Sequence, residues 1–192
     1  MNKKLLFIGL ITASVFVFSL NACDTTQPKA QASNEVLPTK DSLIKRGNYL
    51  VSIIGCGDCH SPKHMGAHGP EIDSLNMLSG FPSNRPHPAP FSGKVEFADD
   101  LTAAVGPWGT TFAANITSDE TGIGNWSEEQ FKNALRHGKH KGLNEERDIM
   151  PPMPWQNFSQ LTDTDIKAVF YYLKSTKPFK NVVPDSKPAK RG

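Results

Sequence analysis

The stretch "GCGDCHSP", residues 55 to 62, sets two cysteines and a histidine within five positions. If the stretch is helical, Cys56 and Cys59 lie one turn apart and face the same way, with His60 directly after them. A Cys-x-x-Cys pair serves a thiol redox centre, half a zinc site, a disulfide or a covalent attachment point, and each predicts different surroundings. A thioredoxin-type centre wants a preceding strand and a βαβ context, and no such pattern is visible. Zinc needs further ligands; His64 and His68 are near, but the chain has three cysteines and no second pair. A disulfide leaves His60 without a role. Covalent haem attachment uses all three residues: Cys56 and Cys59 add to the two vinyl groups and His60 ligates iron.

Composition agrees with a core built round such a group. Over 192 residues, 38% are apolar and Gly and Pro number 15 each, which describes one loop-rich domain with a modest aliphatic core. A flat apolar macrocycle supplies the centre that aliphatic residues do not.

The first 22 residues read as an export leader. Lys3 and Lys4 form a positive start, Leu5 to Leu20 an apolar run too short for a permanent span, and Ala22 a small residue before Cys23. "LNAC", residues 20 to 23, resembles the lipobox of bacterial lipoproteins, with Asn21 a less usual residue at its position. The resemblance implies cleavage before Cys23 and lipidation of its sulfur, hence a membrane-anchored lipoprotein facing the periplasm, where c-type haem is attached. Residues 23–40, polar and proline-containing, are expected to be a flexible tether with a reach of about 20 to 25 Å. The haem domain is expected over 41–180 and a flexible tail over 181–192.

The net charge is +2, and removing Lys3 and Lys4 leaves 19 basic and 19 acidic residues, a balance that argues against a nucleic-acid partner. Lys132, Arg136, Lys139 and Lys141 form a local basic run, suited to a solvated face or to steering an acidic redox partner.

Three helices are legible. Leu43, Gly47, Leu50, Val51 and Ile54 share one face after Asp41 or Ser42 as cap; Ser127 and Gln130 open a second helix that Gly138 ends; Thr162 and Asp165 open a third carrying Ile166, Val169, Phe170 and Leu173. Between residues 61 and 108 there is no regular period and many prolines, and no alternating strand pattern stands out.

With "RGNYLVSIIGCGDCHSP" (46–62), "FAANITSDETGIGNWSEEQFKNALRHG" (112–138) and "MPPMPWQNFSQLTDTDIKAVFYYLKS" (150–175), the chain resembles class I cytochromes c, and more closely the haem domains of membrane-bound dehydrogenase cytochrome c subunits. The resemblance implies an all-α fold, a small class I cytochrome c domain wrapped round one covalent haem c, here with a long loop-rich insertion. It implies an electron carrier rather than an enzyme, working between a dehydrogenase and a high-potential acceptor. One departure is that such subunits often carry several haem motifs, whereas this chain has one.

The second iron ligand decides between carriage and chemistry. Met153, between Pro152 and Pro154 and followed by Trp155, matches the ligand methionine of the resembled family; Met150, which also precedes a proline, is its rival. An open or labile position would instead suit a peroxidase-like enzyme or a ligand sensor, with His64 or Arg85 as distal residues. Along 115 to 126, Asn115 and Trp126 supply donors for the haem propionates, and Arg85 is a further candidate.

Overall fold

The computed structural model describes residues 37–189; the expected leader, Cys23 and residues 24–36 of the expected tether lie outside them. Among the described residues no helix is long and apolar enough to cross a membrane.

Helix α1, Lys40–Ile53, is capped by Thr39, whose hydroxyl accepts from the Ser42 N–H, two or three residues ahead of the expected caps. Its buried face is Leu43, Gly47, Leu50 and Val51. Gly55 follows in the left-handed region (φ 72°), where the absence of a Cβ lets the chain turn directly into the short helix α2, Cys56–His60. Helix α3, Glu128–His137, starts at the Ser127 cap and stops at Gly138, again left-handed (φ 64°). After a single turn, α4 at Trp155–Phe158, helix α5 runs Asp163–Ser175 from its Thr162 cap.

Helices α1 and α5 cross at Gly47. A Cβ built there would lie 2.0 Å from the Ala168 carbonyl oxygen and 2.6 Å from the Tyr172 Cβ, so only hydrogen lets the two backbones approach this closely. Arg46 donates to Asp165 at 2.9 Å beside the crossing. Leu43, Leu50, Val51, Phe131, Leu135, Ile166, Val169, Phe170 and Leu173 from α1, α3 and α5 then form the main core, joined by Leu78 and Ile123 from the connections.

The all-α expectation is overturned. Strands β1, Lys63–Gly66, and β2, Gly69–Ile72, form an antiparallel hairpin with the register Lys63↔Ile72 to Gly66↔Gly69. A second antiparallel sheet runs in the order β3, Glu96–Phe97; β4, Ala103–Gly106; β5, Gly109–Phe112; and β6, Lys187–Pro188. It buries Ala103, Phe112 and Phe81 in a core of its own, with the Phe81 and Phe112 rings 4.8 Å apart. The chain is therefore mixed α and β, and the segment expected to be loop holds most of the strands.

Residues 181–189, read from sequence as tail, also take part. Asn181 is buried; its amide donates to the Ser79 and Phe81 carbonyls at 2.7 and 2.9 Å and its carbonyl accepts from the Ser83 N–H at 3.1 Å. Side-chain hydrogen bonds here replace what a longer strand would give, and β6 then pairs with β5.

Candidate functional site

Both thiols are free and partly buried on α2, Cys56 packing against the main core. Burial pushes the Cys56 pKa up to about 11, with Asp58 and Cys59 adding to it. Cys59 is raised by burial too, while the Lys63 charge opposes and Asp58 assists. Both are accordingly protonated at neutral pH.

His60 closes α2. Its Nδ1 lies 2.7 Å from the Ala114 carbonyl, an acceptor, so Nδ1 carries the proton and Nε2 keeps its lone pair. Burial lowers the His60 pKa and the bond to Ala114 partly offsets this, so the ring is neutral at pH 7. Ala114 is brought there by an interlock. The Gly80 N–H donates to the His60 carbonyl at 2.8 Å, and the Phe81 N–H donates to the Ala113 carbonyl at 2.9 Å. Gly80 has φ 77°, and a Cβ on it would meet the Ala113 oxygen at 2.5 Å. Fully buried Ser61 accepts from the Leu78 N–H at 2.9 Å, fixing the exit from α2.

The segment carrying Met153 is held at both ends. The Thr111 hydroxyl donates to the Pro151 carbonyl at 2.6 Å. Downstream, the Trp155 ring covers Gly138, where a Cβ would lie 2.3 Å from the indole. Met153, Trp126, Ile116 and Cys56 are all half-buried against the same core, whereas Met150 is 9% exposed and belongs to neither core cluster. The structure thus brings Cys56, Met153 and Trp126 to one core, with His60 on the same short helix as Cys56.

Asn115 is buried and its amide is used within the chain. It donates to the Phe179 carbonyl at 2.8 Å and the Thr121 hydroxyl at 3.1 Å, and accepts from the Thr117 N–H and hydroxyl at 3.0 and 2.8 Å. Arg85 is paired with Asp100 at 2.7 Å. Of the remaining histidines, His64 is 4.0 Å from Glu71 on the hairpin, the His87 ring lies tilted at 5.0 Å from that of Phe112, and His140 sits 3.2 Å from Glu146. Among the described residues no three His, Cys, Asp or Glu side chains converge on a metal position, which removes support from the zinc reading.

Ala114, Ser61 and Lys63 were not picked out from sequence. The first acts through a backbone carbonyl 54 residues from its partner, which no residue identity announces.

No protein-family model matches the chain. It is 31% identical over 149 residues to the cytochrome c subunit of alcohol dehydrogenase (quinone) from Gluconobacter oxydans, covering 76% of this chain and 24% of that protein. It is 31% identical over 148 residues to the gluconate 2-dehydrogenase cytochrome c subunit of Pantoea cypripedii, 76% of this chain and 26% of that one. With the fructose dehydrogenase cytochrome subunit of Gluconobacter japonicus it shares 29% over 131 residues, 68% of this chain and 20% of the relative. The chain therefore spans about a quarter of the length of the curated relatives it matches.

Proposed function

The chain belongs to the family of cytochrome c subunits of dehydrogenases, 31% identical to two of them over three quarters of its length, and we propose that it is a monohaem c-type cytochrome passing single electrons from a dehydrogenase to a high-potential acceptor. The observation that carries this is His60: a neutral imidazole whose Nδ1–H is spent on Ala114, on a helix that also offers two protonated free thiols one turn apart. These residues fit a haem c. When bound, haem supplies a one-electron iron couple.

The chain's own residues do the rest. Cys56 and Cys59 would hold the group covalently, each adding sulfur to one carbon of a vinyl group and its hydrogen to the other. His60, kept in one tautomer by Ala114, would present Nε2 to iron. Met153 would offer a neutral thioether to the iron, which would raise its potential relative to a second imidazole. Trp126, half-buried at the same core, would offer its indole N–H to a propionate. Asn115, its amide already engaged, acts by holding the 115–121 turn in shape. With His60 and Met153 both holding iron, substrate would find no open position on it, and the chain would carry electrons without catalysing bond chemistry. Export through residues 1–22 and lipidation at Cys23 place the domain at the periplasmic membrane face, on the sequence pattern given above.

The test is the optical spectrum and haem content of the mature protein, oxidised and reduced, with carbon monoxide added to the reduced form. One haem per chain, a low-spin spectrum with a thioether-to-iron band, and indifference to carbon monoxide are expected. Ready carbon monoxide binding or a high-spin resting state would overturn the carrier in favour of an enzyme or sensor. Absence of haem absorption would sink the haem assignment.

A further inference from the structure

The ammonium of Lys63 is enclosed by backbone carbonyls from two parts of the fold. It donates to the Asp58 carbonyl inside α2, to the Ser61 carbonyl at 3.3 Å just beyond α2, and to the Asp100 carbonyl at 2.8 Å before β4. Three N–H groups therefore meet three acceptors, and one side chain joins the helix bearing Cys56, Cys59 and His60 to the inserted sheet. The far end of this clamp is itself fixed. Asp100 is 4% exposed, and its carboxylate accepts from Arg85 at 2.7 Å and from the Thr102 N–H and hydroxyl at 3.1 and 2.7 Å.

The charges do not cancel around this cage. Arg85 and Asp100 neutralise one another, which leaves the Lys63 ammonium as a net positive charge against the last carbonyls of α2, the end of a helix that favours a cation. The Asp58, Asp99 and Glu96 carboxylates nearby belong to exposed residues and are screened by water. A fixed positive charge beside an iron centre favours the ferrous state, which carries one positive charge fewer.

We propose that Lys63 is a positioning residue for the redox centre: it clamps the cysteine-bearing helix to the insertion and holds a positive charge there that raises the reduction potential. This also gives residues 61–108 a role, since Asp100 and Arg85 serve the centre through Lys63. The inference rests on the haem reading above, and its test separates the two.

The holo-protein and its Lys63→Met, Lys63→Arg and Asp100→Asn variants are compared by equilibrium redox titration, each after its low-spin spectrum has been recorded. Lys63→Met is expected to shift the ferric-to-ferrous equilibrium about tenfold towards ferric, a fall of about 59 mV for a one-electron couple. Lys63→Arg, keeping the charge, should stay close to wild type, and Asp100→Asn, removing a negative charge, should move the potential upward. A low-spin Lys63→Met protein with the wild-type potential overturns the proposal, and so does an equal fall in the Met and Arg variants. If Lys63→Met yields no folded holo-protein, Asp100→Asn decides by sign: a rise supports the proposal, and no change or a fall overturns it. A wild-type chain without a haem spectrum overturns both readings before any variant is compared.

Discussion

Met150 and Met153 stand three residues apart, and burial separates what each can do. Met150 is 9% exposed and fills space, while Met153 is half-buried at the core that Cys56 and Trp126 also reach. Met153→Ala is expected to give a high-spin, carbon monoxide-reactive protein. Met150→Ala should keep the low-spin spectrum and lose about 2 to 5 kcal/mol in denaturant unfolding, the cost of emptying a buried site. The opposite pairing of spectrum and stability would reassign the ligand. Asp100 allows a second test at this scale. Burial alone would raise its pKa, yet the bonds from Thr102 and Arg85 outweigh burial and hold it below the usual carboxylate range. A depressed folded pKa means that the unfolded chain takes up the proton first on acidification. The stability Asp100 contributes is thus present above its unfolded value of about 3.9 and lost as pH falls through the folded one. Asp100→Asn should be less stable than wild type at pH 7 and lose less on going from pH 5 to 3 in urea unfolding; parallel losses in the two proteins would refute this. The contrast between residues legible in the sequence and those hidden from it has a physical cause. Cys56, Cys59 and His60 fall within five positions and are chemically distinctive, so the role proposed for them is read locally. The groups that fix them, the Ala114 and Asp100 carbonyls, are main-chain atoms delivered by folding across 54 and 37 residues.

Elements show the same division. The three long helices were readable because their ends carry side-chain caps at Ser127 and Thr162, a left-handed glycine at Gly138, and apolar stripes at helical spacing. The strands were not, for identifiable reasons. None exceeds four residues; β4 is buried along its whole length and so shows no alternation, and β3 and β6 have two residues each. Much of the insertion's order comes instead from side chains bonded to backbone, such as Asn181 to Ser79 and Phe81, and these leave no periodic signal. The expected all-α class failed on this point, while Gly47, read from sequence as part of an apolar face, meets Ala168 and Tyr172 of α5. A methyl group there would lie 2.0 Å from a backbone oxygen that no rotamer change can remove, so α1 and α5 must separate. Gly47→Ala is expected to cost about 3 kcal/mol or more in denaturant unfolding. A loss under about 1 kcal/mol would show that the helices slide past the strain.

At the scale of the whole molecule, charge decides how partners meet it. The chain beyond residue 22 carries 19 basic and 19 acidic residues, and its most basic run is already answered by its own carboxylates. Asp163 lies 2.8 Å from Lys132 and 2.7 Å from Arg136, Asp148 lies 2.8 Å from Lys139, and Asp185 lies 3.6 Å from Lys141. These pairs hold the Asp163 pKa below the usual range, and little field from the run extends into solvent. Long-range steering of an acidic partner therefore has little to act on, and encounter must rely on contacts made at short range. The second-order rate of electron exchange with a physiological or acidic surrogate partner should then change less than about threefold as ionic strength rises from about 0.01 to 0.15 M, although the Debye length falls from about 30 to 8 Å. A drop of tenfold or more would mean that a charged face, left uncompensated in the functioning assembly, guides the encounter. Repeating the salt series with Asp163→Asn, which frees Lys132 and Arg136, should introduce the dependence that the wild type lacks.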